Sequence, residues 1–217
     1  MKKGDLIWGL ILLAFASFII LPGTHQIFMD FTSTHPYIGG FIKFSILATL
    51  GEMLAGRIVH GDYKKPHGFW ERFIVWGLIG MLITLMFQIF SSGVSSAMEK
   101  GLLPGEGSRF LFAIYTSTIM NMSFGPTFMA FHRYTDTLLD LRGENKKMPS
   151  SSEVLTAIDW KGFVSFVVFK TIPLFWLPAH TITFMLDPQY RVLLAAALSL
   201  ALGVILAFAK TKGSDNK

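Results

Sequence analysis

Apolar residues do not alternate along this chain. They run in long stretches between short polar breaks. Six stretches of roughly 20 residues, the helix length that a bilayer core requires, cover about 5–21, 36–58, 69–90, 109–132, 162–185 and 190–209. An isolated span has to satisfy its backbone hydrogen bonds within itself, which selects helix. The strict two-residue alternation of a membrane barrel is missing. The breaks carry turn chemistry: Pro22-Gly23, Thr34-His35-Pro36, Gly61-Asp62 with Lys64-Lys65-Pro66, Pro104-Gly105-Glu106-Gly107, the polar stretch Arg142 to Ser152, and Asp187-Pro188. Pro36 opens the second stretch at a position where a missing N–H costs nothing. The pattern predicts an all-α polytopic membrane protein, a single domain over 1–217 built as a bundle of about six transmembrane helices.

Composition strengthens this reading. The chain is 52% hydrophobic and 15% charged, against roughly a quarter charged for a soluble domain. It has no cysteine, which excludes a disulfide framework and a thiolate metal site. The net charge of +5 would suit nucleic acid, but the distribution of the charges assigns it otherwise. Under the positive-inside rule, fourteen Lys and Arg fall on one side of six spans and three on the other. The fourteen are Lys2 and Lys3; Arg57, Lys64, Lys65 and Arg72; Arg133, Arg142, Lys146, Lys147 and Lys161; and Lys210, Lys212 and Lys217. The three are Lys100, Arg109 and Arg191. This predicts that both termini are cytoplasmic, that the basic loops rest on anionic lipid headgroups, and that nucleic acid is not a partner. Lys2-Lys3 before an apolar run also fits a cleaved signal peptide, but no small-x-small site follows, and cleavage would leave an odd number of crossings.

Ionisable residues within a span are costly and tend to face the bundle interior. Lys43 and Glu52 lie in the second span, and Lys170 and His180 in the fifth. Glu52 and Lys170 stand roughly 9 and 12 Å from their cytoplasmic ends at 1.5 Å per residue, so they can pair, either lining a solute or proton path or fixing how two spans dock. Lys43 is nine residues from Glu52, on the opposite face, and is free to snorkel outward. Ser45, Thr49 and Glu52 share one face, which either bonds a neighbouring helix or lines a cavity. Asn121 lies mid-span, just before Gly125-Pro126, whose proline frees a carbonyl and bends the helix. Broken helices border binding sites in many transporters. Pro173 and Pro178 mark the fifth span for a kink. Ala195, Ser199, Gly203 and Ala207, four apart, form a small-residue packing stripe.

Enzyme signatures are missing. There is no His-Glu-x-x-His motif. Ser91-Ser92-Gly93 lacks the upstream glycine of an intramembrane serine protease. Gly51-Glu52 has no second intramembrane carboxylate. The spacing of His60, Asp62 and His67 matches no usual metal pattern, and Pro104 to Ser108 lacks the lysine of a phosphate loop. The chain is therefore expected to be no enzyme and to hold no metal or cofactor.

The C-terminal third reads Phe175-Trp-Leu-Pro-Ala-His-Thr-Ile-Thr-Phe184, then Asp187-Pro-Gln-Tyr-Arg191-Val, then an apolar helix. It resembles the Mpv-seventeen/PMP-twenty-two family of mitochondrial and peroxisomal membrane proteins. Pro178, Phe184, Pro188 and Arg191 match that family's signature, while His180 replaces its Gln and Thr183 its Asn. Further back, His35-Pro36 and Gly51-Glu52-Met-Leu-Ala55 are similar to its Asn-Pro and Gly-Asp-x-Leu-Ala, and Asn121 and Pro126 resemble a Gln and Pro of the next helix. Its Gly-Pro-x-x-His ending of the third span is missing. The likeness covers roughly residues 35–209. It implies a channel-like protein that passes small solutes or ions, and it promotes Glu52 and Arg191.

The expectation is a small membrane channel or transporter. Glu52, Lys170, Asn121, His180 and Lys43 would line its path, and Pro126, Pro178 and Arg191 would serve structure or gating. The alternative is a non-transporting membrane scaffold whose buried charges hold helices together. A homo-oligomer is compatible with either. The N-terminus lacks the Arg- and Ser-rich character of a transit peptide, and the chain ends Ser-Asp-Asn-Lys, without a peroxisomal address. A bacterial inner membrane is the expected location.

Overall fold

The computed structural model describes residues 2–145 and 147–214. Lys146 and Lys217, both counted in the charge bias, lie outside the described residues. Every regular element among the described residues is helical: α1 (Lys3–Ile20), α2 (Pro22–Thr34), α3 (Pro36–His60), α4 (Phe69–Glu99), α5 (Arg109–Ser123), α6 (Gly125–Asn145), α7 (Ser151–Ala157), α8 (Trp160–Met185) and α9 (Pro188–Ser214). Five helices are long and apolar enough to cross a membrane: α1, α3, α4, α8 and the part of α9 over Pro188–Phe208. Their large apolar side chains point outward, with Leu10 63%, Ile20 73%, Phe169 70% and Leu174 76% exposed. Outward apolar surface on this scale suits lipid rather than water.

Three elements differ from the sequence expectation. Residues 22–34, read as a connection, form α2. Pro22 sits at its first turn, and Gln26 donates to Asp30 one turn on, at 2.8 Å. The fourth expected span, 109–132, is interrupted at Phe124 and divides into α5 and α6. Pro126 has no N–H to return to the preceding turn, and neither piece alone qualifies as a candidate span. The polar stretch Arg142 to Ser152 is mostly helical at its ends. α6 runs to Asn145, and α7 begins at Ser151 under a capping box in which Ser150 and Glu153 bond each other's backbone N–H.

The chain divides into two compact units, one of residues 1–69, 73–84 and 192–217, the other of residues 70–72 and 85–191. In the first unit, helices approach through small residues. A Cβ on Gly80 would collide with the Gly40 carbonyl oxygen, and one on Gly51 would lie 2.9 Å from Leu200 Cα. Gly203, from the small-residue stripe of α9, faces the Gly51 carbonyl. Bonds from side chain to backbone tie the packing down. Ser45 Oγ donates to the Phe73 carbonyl at 2.9 Å, and Trp8 Nε1 to the Leu50 carbonyl at 2.8 Å. Gly61 ends α3 at φ 74°, a left-handed cap that glycine adopts without strain. Its carbonyl accepts from Lys2 Nζ and Arg57 Nη1.

The second unit is held differently. α5 packs on the C-terminal part of α8, where Ser117 Oγ donates to the Leu177 carbonyl at 2.7 Å. Ala113, Thr116, Ser117, Met120 and Asn121 are the buried face of α5. Residues Phe163–Trp176 of α8 are wound as a π-helix, which contains Pro173. The widened turn is visible in side-chain bonding too, since Thr171 Oγ1 reaches the Phe166 carbonyl five residues back, at 3.2 Å. Crowding by Val164, Val167, Val168, Thr171 and Ile172 against the preceding turn and the missing N–H of Pro173 both weaken the ordinary α pattern here.

Candidate functional site

Asn121 and His180, singled out separately in the sequence, meet in the core of the second unit. Both are buried. His180 Nδ1 stands 3.1 Å from both the oxygen and the nitrogen of the Asn121 amide. Either ring tautomer therefore has a partner: a protonated Nδ1 donates to Oδ1, and a bare Nδ1 accepts from Nδ2. The amide is anchored one turn back, where Nδ2 donates to the Ser117 carbonyl at 2.8 Å and contacts Ser117 Oγ at 3.2 Å. Ser117 itself ties α5 to Leu177 of α8, so one polar chain crosses both helices.

Aromatic rings enclose the imidazole. Trp176 stacks on it at 5.1 Å and 24°, and Phe87 meets it edge-on at 5.6 Å and 84°. Trp176 ends the π-helical stretch, and its Nε1 is buried without a hydrogen-bond partner. Such an orphaned donor costs about 1–3 kcal/mol, and π-helical turns, rare in proteins, occur frequently at functional sites. The arrangement gives a neutral, two-way hydrogen-bonding group and a spare indole donor in an apolar, ring-lined setting, suited to polarising or passing a small polar solute.

The other predicted residues take different places. Arg191 fixes the end of α8: its Nε donates to the Leu186 carbonyl at 2.9 Å and its Nη2 to the Phe184 carbonyl at 3.3 Å. Nη1 reaches Ser91 Oγ, and the guanidinium lies over the Phe112 and Phe184 rings. Pro126 follows the Phe124 break, and Pro178 sits in the first turn after the π stretch. Lys170 is exposed on α8. Glu52, in the first unit, accepts from Trp76 Nε1 at 3.0 Å, so Glu52 and Ser45 of the α3 polar stripe bond a neighbouring helix, while Thr49 Oγ1 is buried without a partner. Lys43 does not snorkel: it is 2% exposed.

Sequence reasoning missed Trp176, Ser117 and Phe87. It also counted Arg72 as a loop charge, and placed it with Gly77 at an Arg and Gly of the resembled family's next helix, but gave it no partner. Arg72 is buried and donates from Nη1 to Asp136 Oδ1 at 2.8 Å and from Nη2 to Asp140 Oδ1 at 2.7 Å. Burial pushes the Asp136 carboxyl up to about 6, against the pull of the adjacent Arg72. The signals that were available are the i, i+4 pairs Ser117–Asn121 and Trp176–His180 and the i, i+4 pair Asp136–Asp140.

No protein-family model, curated protein or solved structure matches the chain.

Proposed function

We propose that the chain is an integral membrane channel or transporter for a small polar solute or ion, with the Asn121–His180–Trp176 group as its recognition element. One observation carries this reading. A buried hydrogen-bonding pair and an orphaned indole N–H sit together at the end of a 14-residue π-helix. The hydrogen-bonded pair by itself would serve to join two helices, but the orphaned indole donor beside it adds nothing to such a joint and costs free energy, which favours a ligand there. The resemblance of the C-terminal motif to the Mpv-seventeen/PMP-twenty-two family supports the same class, as does the lack of any enzyme motif. The charge bias, counted over six spans with α5 and α6 together making one crossing, supports cytoplasmic termini, and the lack of transit-peptide character supports a bacterial inner membrane.

The scaffold reading is favoured by a different observation: Glu52 and Ser45 spend their polar atoms on helix-to-helix bonds. Flux into liposomes of a graded panel of ions and neutral solutes separates the two. The channel reading expects wild-type flux of at least one probe above protein-free liposomes, lowered at least tenfold by His180→Phe, which keeps the ring and removes both nitrogens. Absence of flux for every probe, with folded protein, would establish the scaffold.

A further inference from the structure

Lys43 lies seven residues beyond Pro36, roughly 10 Å along α3. Its Nζ is buried without a hydrogen-bond partner and lies over the face of the Phe28 ring, 5.0 Å from its centroid. Across from it on α2, Thr32 is 8% exposed, and its Oγ1 is also buried without a partner. The two atoms look onto one spot. A Cβ placed on Gly39 would lie 3.7 Å from Lys43 Nζ and 3.6 Å from Thr32 Oγ1. Glycine keeps that spot clear of side chain, and the two atoms are separated by no more than the sum of those distances. Two donors on either side of one small anion stand about 6 Å apart.

An ammonium in an apolar setting with neither counter-charge nor acceptor costs several kcal/mol. Asp30, the carboxylate of α2, is exposed and accepts from Gln26. No ion pair to Lys43 occurs among the described residues. We propose that Lys43 Nζ and Thr32 Oγ1 hold a small monovalent anion, a halide or a short carboxylate, over Gly39. The ammonium supplies the charge, and the hydroxyl supplies a second donor. The site belongs to the first unit and stands independently of the transport reading: anion binding without flux would leave it intact.

The test is chloride-35 line broadening with the full chain purified in detergent, with formate as competitor. Wild type should broaden the chloride line, and formate should reverse the effect. Lys43→Met should abolish it, Thr32→Val should weaken it at least fivefold, and Lys43→Arg should retain it. Gly39→Val fills the spot while leaving both donors in place and should abolish binding, so the result does not hang on whether Lys43→Met folds. A wild-type line that stays narrow, or equal broadening by wild type and Gly39→Val, would overturn the proposal.

Discussion

The two units solve the same packing problem in opposite ways. The first brings backbones together through glycine: Gly40 against Gly80, and Gly51 against Leu200 and Gly203. The second keeps helices joined through polar side chains: Ser117 to Leu177, Asn121 to His180, and Arg72 to Asp136 and Asp140. In lipid, where tails are as apolar as leucine, close packing of small residues and interhelical hydrogen bonds are the two available means. The first unit adds bonds such as Ser45 to Phe73, Trp8 to Leu50 and Trp76 to Glu52 to that close approach. The second carries chemistry in its joints, which is why the candidate site falls there.

The contrast breaks most sharply on steric substitution. Gly80→Ala should cost about 3 kcal/mol or more, since the added Cβ meets the Gly40 carbonyl oxygen and backbone cannot step aside. Gly125→Ala in the second unit should cost less than about 1 kcal/mol, because the nearest atom to its Cβ is the tip of Ile172, at 3.4 Å, with Asn121 Oδ1 at 4.0 Å. Unfolding in mixed detergent micelles measures both. Comparable losses would show that the units do not differ in this way.

Removing charge should reverse the ranking. Arg72→Met takes the guanidinium from the half-buried Asp136 carboxylate, which also lies 3.4 Å from the His132 ring. Breaking such a pair costs about 3 kcal/mol, while Asp140, 57% exposed, adds little. The same aspartate makes stability fall with rising pH. Its folded value of about 6 lies above the ordinary aspartate value of 3.8, so the folded state binds the proton more tightly. That contribution is complete below about pH 4 and is lost as pH rises to about 6. The shift corresponds to at most about 3 kcal/mol. Asp136→Asn should flatten the slope between pH 4 and 6, and an unchanged slope would remove Asp136 from the account. The smallest effect belongs to the rim. Arg109 bonds Asp187 at 2.9 Å with both side chains more than 60% exposed, and Arg109→Gln should change stability by less than about 0.5 kcal/mol.

Much of the fold was legible because length and hydropathy alone locate a long apolar helix. Proline or glycine then marks its ends, as at Pro36, Gly61 and Pro188. α2 was not legible: Thr24, His25, Gln26 and Asp30 read as loop, and their helix depends on local i, i+4 bonding and packing on α3. The π stretch was hidden because its apolar run looks alike at 3.6 or at more residues per turn. Sequence also located Asn121 and His180 without pairing them. Asn121 is twelve residues along α5 and His180 five from the end of α8, although Arg109 and Asp187 bring those helix ends together. The pair forms because Asn121 turns its amide back onto Ser117, the direction helical side chains favour. Arg72 and Lys43 show the limit of counting charges: neither its burial nor its partners can be read from position along a span.

The central claim is that the Asn121–His180 pair does more than hold two helices together. The measurement that tests it most directly is liposome flux for wild type and Asn121→Leu, each scaled to folded protein. The stability cost of that substitution should be about 2 kcal/mol, measured alongside. The account predicts that flux per folded molecule falls at least tenfold. Flux per folded molecule equal to wild type, with the stability cost present, would contradict it and leave the pair a structural joint.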